Sequence, residues 1–465
     1  MLSVKSIIPK EIKQLCDCRI ALFIPFLILF LHVNAQDNSP YSRYGIGDIV
    51  PSTNIASRGM GGLTTAYSDF ISVNLNNPAS YASFLTVLEQ NKKKIAYGRI
   101  ILDLGMNFEN RALKEKNNVE KFVASNALFS YLKIGIPIKK DWGISFGIRP
   151  VSRISYKISK NERLKDPNTQ LPIDSVNTLY EGDGGVYLPT IGTGYKFNNF
   201  SVGLNIGYLF GKKNYHTLRG FYNDTVQYYQ SNHENTTTFG NLYFNAGMQY
   251  KIELPRNKTL TLGAYGNFDQ KLNALQDIVR ETFIRDPIQG NSRLDSVSEQ
   301  KNIKGNISYP ATFGIGFIAE KIPDIKTKKG GWLFGMDFIQ TGWNKYRFYG
   351  LSDSVRNSWE LRIGGQIQPS PNKNYFSRIA YRAGFFTGPD YIKLNQKLSL
   401  YGISFGMGMP VTNYNRQSPN QVTFLNLAVE YIKRGNSQNS LRENMFRVSA
   451  GFSLSDLWFR KPKYD

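Results

Sequence analysis

Phe200-Ser201-Val202-Gly203-Leu204-Asn205-Ile206-Gly207-Tyr208-Leu209-Phe210 decides the fold. Val202, Leu204, Ile206, Tyr208 and Phe210 fall on one face, and Gly203, Asn205, Gly207 and Leu209 on the other. A period of two is that of an extended strand. The run is long enough to cross a hydrocarbon core on a tilt, which takes about 9–11 residues. Its second face is small or polar. Apolar towards lipid and polar towards a lumen is the pattern of a transmembrane barrel. A soluble sandwich alternates too, but its strands run shorter.

The same alternation recurs in both directions. Trp142, Ile144, Phe146 and Ile148 oppose Gly143, Ser145, Gly147 and Arg149. Thr423, Leu425, Leu427, Val429 and Tyr431 oppose Asn426, Ala428 and Glu430, and Phe446 to Leu454 repeats the pattern. Such runs predict fourteen antiparallel strands, from 95–108 to 442–455. Connections such as 158–184, 216–236 and 273–305 are long, and those at 139–140, 198–199 and 253–257 are short. Long loops at one end and short turns at the other is the outer-membrane arrangement. Closure follows, because an open edge in hydrocarbon leaves backbone groups without partners. The expected fold is all-β: a 14-stranded antiparallel transmembrane β-barrel with an N-terminal luminal plug, in the outer membrane of a Gram-negative bacterium.

Composition agrees. The 465 residues are 41% hydrophobic, 14% aromatic and 20% charged, too polar for a helical membrane bundle and too aromatic for a disordered chain. Lys and Arg outnumber Asp and Glu by 57 to 35, but the cations are dispersed, which argues against nucleic acid as a partner. Residues 1–35 read as a signal peptide: Lys5, Lys10, Lys13 and Arg19 precede an apolar run, Ile20 to Val33, and Val33-Asn34-Ala35 is a small-residue cleavage pattern. Cys16 and Cys18 lie in this leader, so the mature chain has no thiol chemistry.

Residues 36–94 differ from the barrel at 95–459. They hold Tyr41-Ser42-Arg43-Tyr44-Gly45-Ile46-Gly47-Asp48 and other Gly- and Asn-rich stretches that favour turns, and are expected to fill the lumen. A basic tail, 460–465, would hang in the periplasm.

Arg58-Gly59-Met60-Gly61-Gly62-Leu63-Thr64-Thr65-Ala66-Tyr67, followed by Asn76-Asn77-Pro78-Ala79, resembles the hatch of the FadL family of outer-membrane transporters for long-chain fatty acids and other hydrophobic compounds. Trp332 to Tyr346, with its Asp337, is similar to a mid-barrel strand of that family, and Ser358 to Gly364 and Tyr381 to Gly384 are similar to the next two. The resemblance implies passive uptake of a hydrophobic small molecule through a plugged barrel.

Candidate positions follow. Asn77, Pro78 and Ala79 are placed where the hatch meets the wall. Pro150 and Pro189 sit inside strands, where each lacks a ladder donor and forces a bulge or kink. By the resemblance, Arg149, Pro150 and Val151, with Pro189, line a lateral opening near the third strand. Pro310 falls near the start of its strand and needs no role. Ile278, Val279, Phe283 and Ile284 are candidates for ligand capture in an extracellular loop. Asp174-Ser175-Val176, Asp224-Thr225-Val226, Asp295-Ser296-Val297 and Asp353-Ser354-Val355 read as loop-tip turns. No catalytic set, metal site or cofactor is indicated, so the chain is not expected to be an enzyme. The expected partners are outer-membrane lipid and a hydrophobic small molecule. An alternative function is a non-transporting barrel subunit of a larger secretion or barrel-assembly machine, with other outer-membrane proteins as partners.

Overall fold

The computed structural model describes residues 39–458, apart from 89–94, 117–119, 166–167, 171, 223–228, 287–289, 325–328, 371–373, 395 and 412–420. The predicted leader, the basic tail and Asp224-Thr225-Val226 lie outside the described residues.

The alternating runs close into a barrel. Its strands are β3 (Ile95–Glu115), β4 (Lys121–Lys139), β5 (Trp142–Lys165), β6 (Pro172–Phe197), β7 (Phe200–Tyr222), β8 (Gln230–Leu254), β9 (Lys258–Asn267) with β10 (Gln270–Asp286), β11 (Gly290–Tyr309) with β12 (Thr312–Lys321), β13 (Gly331–Thr341), β15 (Ser358–Gln368), β16 (Ala380–Pro389), β17 (Ser399–Val411), β18 (Val422–Arg434) and β19 (Leu441–Trp458). Each strand pairs antiparallel with its neighbour, and β19 pairs with β3. β9 and β10 both pair with β8, so they are halves of one strand. β11 and β12 are likewise split, at Pro310, which therefore does have a structural consequence. Counted this way the barrel has fourteen strands. A short β14 (Arg347–Phe348) pairs with β11 above the barrel.

The lipid face is the one read from period two. Leu204, Ile206, Tyr208 and Phe210 are exposed, while Asn205 and Leu209 between them are buried. Phe146, Phe244, Phe338, Phe405 and Phe452 are exposed in the same belt.

The expected long loops are mostly strand. Lys157–Lys165 pairs with β6, Gly211–Tyr222 with β6 and β8, and Asn273–Asp286 with β8 and β11. These polar segments leave the membrane but keep their ladders, and build a wall of six strand segments above one side of the barrel. The expectation that Asp174-Ser175-Val176 and Asp295-Ser296-Val297 are loop tips is corrected: they lie within β6 and β11.

The N-terminal segment occupies the lumen from top to bottom. It contains β1 (Asp48–Ile49), one helical turn, α1 (Ile55–Arg58), a 3-10 turn at Pro78–Ser83, and β2 (Thr86–Leu88). Ile46, Ile55, Met60, Leu63, Val73 and Tyr81 are fully buried against the wall.

Candidate functional site

Two arrangements stand out: a seam in the wall and the clamp that holds the plug beside it. The seam lies between β4 and β5. Their ladder runs from Lys139 opposite Trp142 up to Leu132 opposite Ile148, then stops. Above it, among the described residues, β4 pairs only with β3, and β5 only with β6 and with the plug. Pro150, two residues beyond Ile148, has no N–H to donate, and a register shift places a bulge between Pro150 and Ser152. Pro150 lies opposite Tyr187, and Pro189 opposite Ile148. The two prolines therefore disturb adjacent strands at one level. Gly184 and Gly185 on β6 add positive φ values of 132° and 157° just above.

The edge of β5 freed by this parting is covered from inside. Asp48 and Ile49 of β1 lie opposite Arg153 and Ser152. Val50 N donates to Val151 O at 3.0 Å, and Ser39 N to Ser155 O at 2.8 Å. The plug thus takes the ladder position that β4 gives up.

β1 is locked by charge. Asp48 accepts from Arg111 Nη1 at 2.5 Å and pairs with Arg434 Nη1 at 3.0 Å. Arg111 also reaches Glu109 at 2.8 Å and Glu443 at 3.1 Å, and Arg434 reaches Asp390 at 2.6 Å. Arg447 joins Glu109 at 2.8 Å to Glu430 at 3.2 Å. Such buried charges persist because each has opposite partners. Burial raises the Asp48 carboxyl, but the Arg111 and Arg434 guanidiniums overcome this and hold it down at about 2.

Above β1, residues 41–46 form the cap. Gly45 has φ +59°, open to glycine at little cost. Its N–H donates to Asp353 Oδ2 at 2.7 Å, and its carbonyl accepts from Lys213 Nζ at 2.6 Å and Tyr346 OH at 3.0 Å. Asp353, expected only to turn a loop, is thus an anchor of the plug.

Lower down, wall carboxylates receive plug backbone. Asp337 accepts from Thr64 N at 2.6 Å and Thr65 N at 3.0 Å, and bonds the Thr65 hydroxyl. Asp103 accepts from Val73 N at 3.0 Å. Arg58 of α1 donates to Asn107 at 2.5 Å and Ser130 at 3.2 Å on the wall. Asn77 caps the turn at Pro78, its Oδ1 accepting from Ala79 N at 3.1 Å, while its Nδ2 donates to Thr65 O at 2.6 Å and to Met248 O at 3.2 Å on β8. Gly194 and Gly203 face Pro78, and Gly247 faces Asn77; a Cβ on any of these would overlap the plug. Of the clamp residues, Asp337 was quoted in the sequence only as part of the strand resemblance, and Asp103, Glu109 and Arg447 were not singled out. Their signal was present: each is a charged residue on the lumen face of an otherwise apolar-alternating strand.

Between plug and wall lies a cavity of about 290 Å³. Arg149 and Val151 line it, so it reaches the seam; Tyr243, Tyr309, Trp343 and Tyr391 supply aromatic surface. Of the four expected gate residues, Arg149 and Val151 line the cavity, and Pro150 and Pro189 lie at the same level on β5 and β6. Ile278, Val279, Phe283 and Ile284 are not part of it. They lie in β10 within the extracellular wall, paired with β8 and β11, and not in a loop; Phe283 is buried.

A family model described as BamG matches residues 15–465. The chain belongs to the BamG family. Its fold is that of a solved Pseudomonas aeruginosa FadL homologue, 15% identical, with a TM-score of 0.50 over 89% of this chain and 100% of that one. The Pseudomonas putida toluene transporter TodX is 14% identical, with a TM-score of 0.49 over 89% of this chain and 99% of that one. The CymD monoaromatic hydrocarbon channel is 12% identical, with a TM-score of 0.49 over 89% and 98%. No curated protein matches the sequence. A closed barrel with a lipid-facing apolar belt places this BamG-family chain in the outer membrane.

Proposed function

We propose that the barrel passes a small hydrophobic or amphipathic molecule between its lumen cavity and the membrane through the β4–β5 seam. The observation that carries this is the position of Arg149 and Val151, which border both the cavity and the point where the ladder stops. A ligand leaving there meets acyl chains and never crosses water. Arg149 forms no ion pair among the described residues, so its charge is free to face an incoming polar head. No cofactor or nucleotide is needed, because a concentration gradient drives passage. The names of TodX and CymD, a toluene transporter and a monoaromatic hydrocarbon channel, agree with this class of cargo.

A specific observation favours the second reading, a non-transporting barrel within a larger secretion or barrel-assembly machine. The plug is clamped by paired buried charges from Asp48 to Arg58 and by Asp337 and Asp103 below, a cost suited to a fixed lumen.

Purification from native membranes in mild detergent separates the two. A monodisperse monomer carrying a stoichiometric small molecule by mass spectrometry is the expected result. Stoichiometric co-purifying proteins with no small molecule would overturn passage and establish the machine subunit.

A further inference from the structure

One rung of the outer wall carries three cations side by side. Arg442 on β19 lies opposite Lys114 on β3, and Lys114 lies opposite Lys121 on β4. Glu443 and Leu113, their chain neighbours, are buried on the lumen side, so Arg442 and Lys114 point outward. None of the three forms an ion pair among the described residues. Like charges directly opposite one another on adjacent strands destabilise a sheet. Two such contacts in succession ask for an anion outside the protein.

Height identifies that anion. Two outward positions below Arg442 on β19 is Phe446, exposed in the lipid belt, and the outward position below Lys121 is exposed Val123. One rung below the three cations, Lys433 stands outward on β18, 5.9 Å from the Tyr401 ring centre, just above exposed Tyr431. The cations therefore sit where acyl chains give way to headgroups, on the face that lipid covers. On the far side of the barrel the uppermost outward rung is Phe313, Gln340 and Trp359, which carries no charge. The basic rung is local, and it borders β4, the strand that parts at the seam.

We infer that Lys114, Lys121 and Arg442 form a binding site for the phosphate groups of an outer-leaflet glycolipid, whose acyl chains lie over Val123 and Phe446 below. Guanidinium and ammonium groups donate charge-assisted hydrogen bonds to phosphate oxygens, and the phosphate neutralises their mutual repulsion. A lipid held there also seals the outer flank of the unpaired β4 edge.

The test uses the full-length barrel in detergent and native mass spectrometry, with three probes: bisphosphorylated lipid A, chemically dephosphorylated lipid A and inorganic phosphate. The wild-type barrel is expected to retain bisphosphorylated lipid A. A variant carrying Lys114→Gln, Lys121→Gln and Arg442→Gln is expected to bind it about a hundredfold more weakly. Lys212→Gln, which removes a lone outward lysine on β7, is expected to leave binding unchanged. Equal retention by the triple variant would overturn the site, as would equal binding of the dephosphorylated lipid. Displacement by inorganic phosphate at matching concentration would make it a free-anion site and overturn the lipid assignment. Should the triple variant fail to assemble, Lys114→Arg with Lys121→Arg and Arg442→Lys keeps the charge and is expected to bind, and the comparison of the two lipids on wild type decides the matter.

Discussion

The plug meets the wall in two different ways. At its foot, the Asn77–Pro78 turn presses on wall positions that have no side chain, Gly194, Gly203 and Gly247. At its head, β1 lies along a strand edge that β4 has left free, and Asp48 sits between two arginines. The foot is held by shape, which tolerates no substitution of the wall. The head is held by edge hydrogen bonds and ion pairs, which another strand, water or a proton can replace. On the proposed route, a plug fixed below and detachable above would open the cavity towards the seam without leaving the barrel.

The largest expected effect breaks the foot. Gly203→Val sets a Cβ and two methyls against the Pro78 backbone, and overpacking of this kind costs about 1–3 kcal/mol or more. The variant is expected to lose its heat-resistant folded band in gel-shift assays. Ser201→Ala, one inward position lower on the same strand, is the matching control and is expected to keep the band. Equal resistance of both variants would mean the foot yields easily and the contrast with the head is false.

Next in size is the clamp at mid-height. Asp337→Ala strands the Thr64 and Thr65 amides, and leaving buried donors without an acceptor costs about 1–3 kcal/mol each. Amide exchange across residues 60–66 is expected to accelerate, with the barrel strands unchanged. Asp337→Asn keeps an acceptor and is expected to fall between. Unchanged exchange in the alanine variant would show that packing of Met60 and Leu63 holds this layer alone.

What the sequence made legible follows from how each feature is encoded. Period two with small lumen residues exposed every barrel strand, because lipid imposes that alternation residue by residue. The break in the wall was visible through Pro150 and Pro189, since a missing N–H is a local property. The limits of the strands were not visible: the segments above the membrane have polar residues on both faces, and only their partners keep them extended. The role of Asp353 was hidden for the same reason, as its acceptor function depends on Gly45, far away in the chain. Ile278 and Phe283 lie in a paired strand and not in a loop, because polar segments above the membrane stay extended once a neighbour supplies the ladder. The clamp of Asp48, Arg111, Arg434 and Glu443 joins three distant segments, the plug, β3 and the β18–β19 hairpin, a juxtaposition that no spacing announces.

The head can be locked in place. From residue 19 onward the chain contains no cysteine, so a designed pair reacts only with itself. Ile49 and Ser152 are ladder partners, and Ile49→Cys with Ser152→Cys ties β1 to β5. Oxidation is expected to leave the barrel intact and to stop exchange of a fluorescent hydrophobic probe between detergent and cavity. Reduction is expected to restore it. Exchange that persists in the oxidised form would show that β1 does not govern the seam.

The smallest effect separates head from foot by acid alone. Asp48 has its carboxyl held at about 2, against 3.8 for the free group, because Arg111 and Arg434 favour its charge. A depressed acid contributes stability in full above its unfolded value and loses that contribution as pH falls through the folded one. Detachment of the head is therefore expected between about pH 4 and pH 2, and not at neutrality. The foot has no ionisable group in its contact with Gly203 and Gly247 and does not follow. Pepsin, active over this window, is expected to begin cutting within residues 39–50 as the pH drops, while 77–84 stays protected. Asp48→Asn, which lacks the titration, is expected to be cut in the head already at pH 4. Simultaneous cleavage of both segments in the wild type would mean that the plug leaves as one body, and the division between a shaped foot and a charged head would be lost.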